Sequence, residues 1–142
     1  MDGRLLFAVG NNGDLACLES DTGKLVWKKS YPADFGGKCM SGWGYSESPL
    51  VDGDRLIVVP GAPDAGMAAL NKKTGEVIWK SEQPDFGRAG KDGAGYTGVV
   101  ISQMFLPIAS MPEIQRVTLF STATAASILL SLCIVKSWLR VT

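Results

Sequence analysis

Residues 18–28 read LESDTGKLVWK, and residues 70–80 read LNKKTGEVIWK. The offset of 52 that lays Trp27 on Trp79 also lays Ala16 on Ala68, Leu18 on Leu70, Thr22 on Thr74, Gly23 on Gly75 and Lys28 on Lys80. A period near 50 residues marks an array of structural units, so the stretch is first a statement about architecture. The apolar runs beside each Thr-Gly pair are short and rich in Val, Ile and Leu, which predicts strands joined by a tight turn. Gly23 and Gly75 then supply a corner residue at positive φ, and Thr22 and Thr74 hydrogen-bond the local backbone. Trp27 and Trp79 follow four residues later, each offering roughly 150–250 Å² of ring surface to a neighbouring sheet.

The match spreads outward from this hairpin. DGRLLFAVG at 2–10 resembles DGDRLIVVPG at 52–61 with one residue inserted; YPADFGG at 31–37 resembles QPDFGR at 83–88; GWGYSESP at 42–49 resembles GAGYTGVV at 93–100. Most of residues 2–104 is therefore two copies of one unit, with strands predicted at 4–9, 14–19, 24–29, 55–60, 67–71, 76–80 and 97–103.

The runs CLESDTGKLVW and AALNKKTGEVIW resemble the repeat of the quinoprotein-like (PQQ-like) β-propellers, A-L-D-x-x-T-G-x-x-x-W, with Glu19 and Asn71 where the family has Asp. GWGYSESPLVDGDRLIVVPG followed by MAALNKKTGEVIWK is similar to large bacterial PQQ-binding-like repeat proteins. The resemblance rests on Leu18, Thr22, Gly23, Trp27, Leu70, Thr74, Gly75 and Trp79, and it implies a mainly β fold: a partial propeller of about two four-stranded antiparallel blades over residues 1–104. A propeller closes with about four to eight blades. Two blades alone leave strand edges and a blade face open, so the expectation is a fragment completed by the remaining blades or by a protein partner.

Dehydrogenases in this superfamily hold pyrroloquinoline quinone (PQQ) and Ca²⁺ with acidic and amide ligands, a catalytic Asp and often two adjacent cysteines, so PQQ and Ca²⁺ enter by resemblance alone. Cys17, Cys39 and Cys133 are far apart, and the chain has no His, which removes the commonest general base and transition-metal ligand. DGD at 52–54 and PDAG at 63–66 fall short of the six to eight oxygens Ca²⁺ takes, and read as solvated turns. GKDGAGY at 90–96 lacks the spacing of a phosphate-binding loop. The one distinctive loop runs from Tyr31 to Pro49 and carries Phe35, Trp43 and Tyr45, which either bind a ligand or pack over a blade end.

The resemblance implies a non-catalytic fragment of a PQQ-like repeat protein acting as a binding or assembly scaffold, an expectation by fold analogy alone. A fragment of a PQQ-dependent alcohol dehydrogenase and a membrane-anchored β-module are the alternatives. With 14 basic against 14 acidic residues there is no basic field for nucleic acid. The family suggests the periplasm or cell envelope, although MDGRLLFAVGNNG lacks the segments of a secretory signal.

Composition changes near residue 104. All 17 glycines lie between Gly3 and Gly98, and of 14 acidic residues only Glu113 follows Met104. Residues 105–142 are expected to be an unrelated helical tail. Their uncharged stretch 117–135, bounded by Arg116 and Lys136, reads as a membrane span, as a helix packed on open blade edges, or as non-native sequence.

Overall fold

A computed structural model describes residues 3–83, 93–95, 98–102 and 116–119. Strands β1 (Leu5–Val9), β2 (Asp14–Glu19) and β3 (Leu25–Ser30) form one antiparallel sheet in that order. Strands β4 (Leu50–Asp52), β5 (Arg55–Val58), β6 (Met67–Asn71) and β7 (Val77–Ser81) form a second, and β8 (Val99–Ser102) pairs with β9 (Arg116–Leu119) in a third.

The repeat seen in the sequence is a repeat in register. Cys17 faces Trp27 and Leu18 faces Leu25, with a bulge between Cys17 and Leu18; Ala69 faces Trp79 and Leu70 faces Val77, with the bulge between Ala69 and Leu70. Both corner glycines are left-handed, at φ 69° for Gly23 and 75° for Gly75. Each donates its N–H to the carbonyl four residues back, Glu19 or Asn71, at 2.8 Å.

The departure from the family Asp is absorbed differently in the two copies. Asn71 Oδ1 accepts from the N–H groups of Lys73 and Thr74, at 2.9 and 3.3 Å. Glu19 instead takes the Thr22 hydroxyl at 2.7 Å, while Thr22 Oγ1 accepts from the Lys24 N–H at 3.1 Å. Either side chain closes the turn, which is why both sequences fold to the same corner.

The first hairpin's Trp meets the second hairpin's corner. The Trp27 indole Nε1–H donates to the Lys72 carbonyl at 3.0 Å, and its ring lies against Gly75, where an added Cβ would sit 2.9 Å from ring carbons. Gly75 is thus fixed twice, by its φ and by the ring above it. Around this contact the core gathers Leu15 and Cys17 from the first sheet with Leu56, Ile57, Val58, Ala68, Ala69 and Leu70 from the second. β6 is buried through Met67–Leu70, on both faces, whereas β1 alternates in the manner of a half-exposed strand.

The strand predictions hold at β1, β2, β3, β5, β6, β7 and β8, with shifts at the ends. The predicted strand at 55–60 stops at Val58 because the Val59 N–H turns to a side chain, Glu47, and Pro60 has none. β4 was not predicted; three residues before an Asp-Gly turn carry too little periodicity. The first sheet has three strands among the described residues, not the expected four.

The Tyr31–Pro49 segment is not all loop. It opens with a single-turn helix, α1 (Tyr31–Phe35), capped by Ser30 and closed by Gly36 at φ 68°. Asp34 reaches back to accept the Ser30 N–H at 2.6 Å.

The helical expectation for the tail fails where it can be followed: Arg116–Leu119 is a strand, and three of its residues begin the 117–135 stretch. Arg-Val-Thr-Leu, with two β-branched residues, pairs naturally with Val99–Ser102. Residues 120–135 lie outside the described residues. No helix among those described is long and apolar enough to cross a membrane.

Candidate functional site at the loop end of the sheets

The turn β1–β2, helix α1, the segment 36–49 and the segment 59–66 gather at one end of the first two sheets, and 93–95 joins them. Gly13, at the β1–β2 turn, accepts the Tyr31 N–H at 2.9 Å and lies beneath Tyr45, whose ring an added Cβ would meet at 2.8 Å. Tyr31, Phe35 and Tyr45 form an edge-to-face aromatic set, with Tyr31 centroids 6.2 Å from Phe35 and 5.2 Å from Tyr45.

A half-buried carboxylate reaches into this set. Tyr31, fully buried, donates its hydroxyl to Glu47 Oε1, and Glu47 Oε2 accepts the Val59 N–H at 3.1 Å. Burial pushes the Glu47 carboxyl up to about 7, held back by those two hydrogen bonds. Burial also pushes the Tyr31 hydroxyl far above its ordinary range, and the Glu47 charge adds to that. Tyr45 rises to about 12, again chiefly by burial, and donates to the Pro60 carbonyl at 3.1 Å. These bonds join α1 and the 36–49 segment to the end of β5.

Two glycines permit the approach. A Cβ on Gly37 would lie 2.5 Å from the Pro60 carbonyl oxygen and 2.8 Å from that of Tyr31. Gly61, at φ 73°, has the backbone of Ala94 and Lys38 against it, where Ala94 N–H donates to Lys38 O at 2.7 Å and Met40 N–H to Ala94 O at 2.9 Å.

The outer part of the loop is braced but open. Asn11 donates from Nδ2 to the Trp43 carbonyl at 2.6 Å and accepts the Tyr45 N–H on its own carbonyl at 2.8 Å. The Trp43 N–H donates to Ser41 Oγ at 3.1 Å, and the Cys39 thiol donates to the Gly44 carbonyl at 3.1 Å. Trp43 itself is 83% exposed and Met40 49%. Of the three aromatics singled out in the sequence, Phe35 and Tyr45 are buried together and Trp43 faces outward.

A family model described as outer membrane protein assembly factor BamB matches residues 1–123. The chain belongs to that family, the PQQ-like β-propeller repeat proteins. Over 95 residues it is 30% identical to the quinoprotein ethanol dehydrogenase of Pseudomonas aeruginosa, covering 66% of this chain and 14% of that protein. Among solved structures it is similar to a europium-containing methanol dehydrogenase (21% identity, TM-score 0.45, covering 60% of this chain and 15% of the other). BamB from Moraxella catarrhalis is similar too (19% identity, TM-score 0.45, 66% and 27%). The chain thus spans a small part of each relative's length.

PQQ-like dehydrogenases imply a quinone with Ca²⁺, and the described carboxylates are not grouped as a Ca²⁺ site. Asp52 is engaged by Arg55 at 2.7 Å and Asp54, on the same turn, faces Lys72 at 3.7 Å, while Asp64, on another turn, faces Lys80 at 3.6 Å. No group of three or more acidic or cysteine side chains among the described residues is placed to hold a metal ion. Glu47, a half-buried carboxyl, is engaged by Tyr31 and Val59.

Glu47 and Asn11 were absent from the sequence-derived candidates, as were Gly37 and Gly61. The available signal for Glu47 was its isolation: it is the only acidic residue between Asp34 and Asp52, set among aromatic and small residues. Nothing local marks Asn11, whose role depends on a partner 32 positions away.

Proposed function

We propose that this chain is a non-catalytic binding or assembly scaffold of the PQQ-like propeller family, working through further blades or a protein partner. One observation carries the proposal: the buried polar groups of the loop end are spent on joining the sheets, while Trp43 and Met40 stand outside on a braced loop. A rigidly held aromatic beside a flexible thioether is the side-chain chemistry of protein contact surfaces. The description of the matching family as an assembly factor supports the same class, and with it a cell-envelope location.

The identity to a quinoprotein ethanol dehydrogenase favours a second reading, a piece of a PQQ-dependent alcohol dehydrogenase. Titrating the purified chain with PQQ and Ca²⁺, followed by dye-linked alcohol oxidation, separates the two. The scaffold account expects neither binding nor turnover, together with a discrete protein adduct from a photo-cross-linker at position 43 in cell-envelope extracts. Stoichiometric quinone binding with alcohol oxidation overturns it.

A further inference from the structure

The turn that carries β1 into β2 reads Gly10-Asn11-Asn12-Gly13, and it is closed by the Gly13 N–H donating to the Gly10 carbonyl at 2.9 Å. Glycine is required at its last position. Gly13 has φ 83°, and an added Cβ would lie 2.8 Å from the Tyr45 ring and 3.1 Å from Pro32 Cδ. The bare backbone that makes room for Tyr45 also leaves the Gly13 nitrogen without a side chain to shield it from the amide carbon of Asn12.

The chain has three asparagines, Asn11, Asn12 and Asn71, and the fold treats them differently. The Asn11 amide donates to the Trp43 carbonyl at 2.6 Å. Asn71 Oδ1 accepts the N–H groups of Lys73 and Thr74 at 2.9 and 3.3 Å, and the residue that follows it is Lys72. Asn12 is exposed, is the only asparagine followed by glycine, and its amide has no hydrogen-bond partner among the described residues.

We propose that Asn12 is a site of spontaneous deamidation and that the Gly10–Gly13 turn bond governs its rate. The Gly13 nitrogen attacks Asn12 Cγ: a C–N bond forms, the Cγ–Nδ2 bond breaks, and the amide leaves as ammonia with the Gly13 proton. Water then opens the resulting cyclic imide. Hydrolysis at Cγ gives Asp, and hydrolysis at the backbone carbonyl carbon gives isoaspartate, with the chain running through the former side chain. The attack needs the Gly13 N–H released from Gly10, so local opening of the turn precedes it.

Either product places a new carboxylate near Asp14, in a chain whose 14 acidic and 14 basic residues otherwise balance. Isoaspartate also adds a methylene to the backbone of a turn whose ends are held, by Gly10 N–H on the Asp14 carbonyl at 2.8 Å and by Tyr31 N–H on the Gly13 carbonyl at 2.9 Å. Asn11 is then drawn away from the Trp43 carbonyl and the Tyr45 N–H, so the modification loosens the segment that presents Trp43.

The test is peptide mapping by mass spectrometry after the full chain is held in mildly alkaline heavy-oxygen water, folded and, in parallel, unfolded in urea. Residue 12 of the folded chain is expected to gain a labelled carboxyl, mostly as isoaspartate, while Asn11 and Asn71 remain amides. The same conversion is expected several-fold faster in urea, where the turn bond is gone. Asn12→Ser, which keeps a turn-forming residue, is expected to abolish the conversion with an unchanged far-ultraviolet spectrum. The converted protein, separated by its added charge on an anion exchanger, is expected to exchange the Tyr45 amide hydrogen faster than the unconverted protein. An Asn12 that stays an amide in the folded chain while the unfolded chain converts overturns the proposal. So does conversion of Asn11 or Asn71 at an equal rate in the folded chain, an Asn12 rate indifferent to urea, or unchanged exchange at Tyr45.

Discussion

Trp27 donates its indole N–H to the carbonyl of Lys72 at 3.0 Å, across 45 positions of sequence, and by doing so ties one four-residue turn to another sheet's packing ring. The bond makes the Thr-Gly corner a receiving surface as well as a turn, and it separates the roles of the two glycines that the repeat makes equivalent.

Gly75→Ala is expected to destabilise more than Gly23→Ala. Both put a side chain at positive φ, a strain of about 1–2 kcal/mol, but only Gly75 has ring carbons 2.9 Å from the new Cβ. Overpacking of that kind adds roughly 1–3 kcal/mol. Urea unfolding in dilute solution reads the difference, and equal midpoints for the two variants would show that the ring does not rest on Gly75.

Trp27→Phe is expected to cost more than Trp79→Phe. The first change deletes a hydrogen bond with a net worth of about 1 kcal/mol, while the second removes a donor with no acceptor among the described residues. Thermal melts of the two variants at low concentration make the comparison directly.

The stability of the loop end should depend on pH through Glu47. Its carboxyl is pushed up to about 7 in the folded chain from an ordinary 4.5, so between those values the folded state holds a proton that the unfolded state has released. Stability from this group is accordingly present below pH 4.5 and lost as pH rises to about 7, by an amount on the order of 3 kcal/mol. Glu47→Gln, which removes the titrating proton and keeps one acceptor oxygen at the junction, should flatten that slope. Unfolding free energies of both proteins across the window decide it; parallel curves would place the carboxyl in contact with water.

Gly37→Ala should destabilise by roughly 1–3 kcal/mol, because the methyl lands 2.5 Å from the Pro60 carbonyl oxygen. Gly42→Ala, in the same segment but with nothing within 4 Å and no positive φ, should be neutral or gain up to about 1 kcal/mol by restricting the unfolded chain.

What could be read from the sequence was whatever the repeat wrote twice. Leu18, Gly23, Trp27 and their counterparts 52 residues on fixed two hairpins, their corners and the pegs, since each depends on spacing within one copy. β4 was invisible because Leu50–Asp52 is too short for alternation to show. The Tyr31–Glu47–Val59 junction was invisible for a different reason: it forms only when α1 meets the end of β5, and no spacing within either segment encodes that meeting. Arg116–Leu119 misled because an uncharged run of Val, Thr and Leu suits a strand as well as a helix, and its partner, β8, decided between them.

The most direct test of the clamp between the hairpins is hydrogen exchange at the indole Nε1–H groups of Trp27 and Trp79, followed by NMR in the wild type and in Gly75→Ala. The expected result is strong protection at Trp27 that falls in the variant, with the Trp79 signal unmoved. An unprotected Trp27 indole, or one indifferent to Gly75→Ala, would contradict the account.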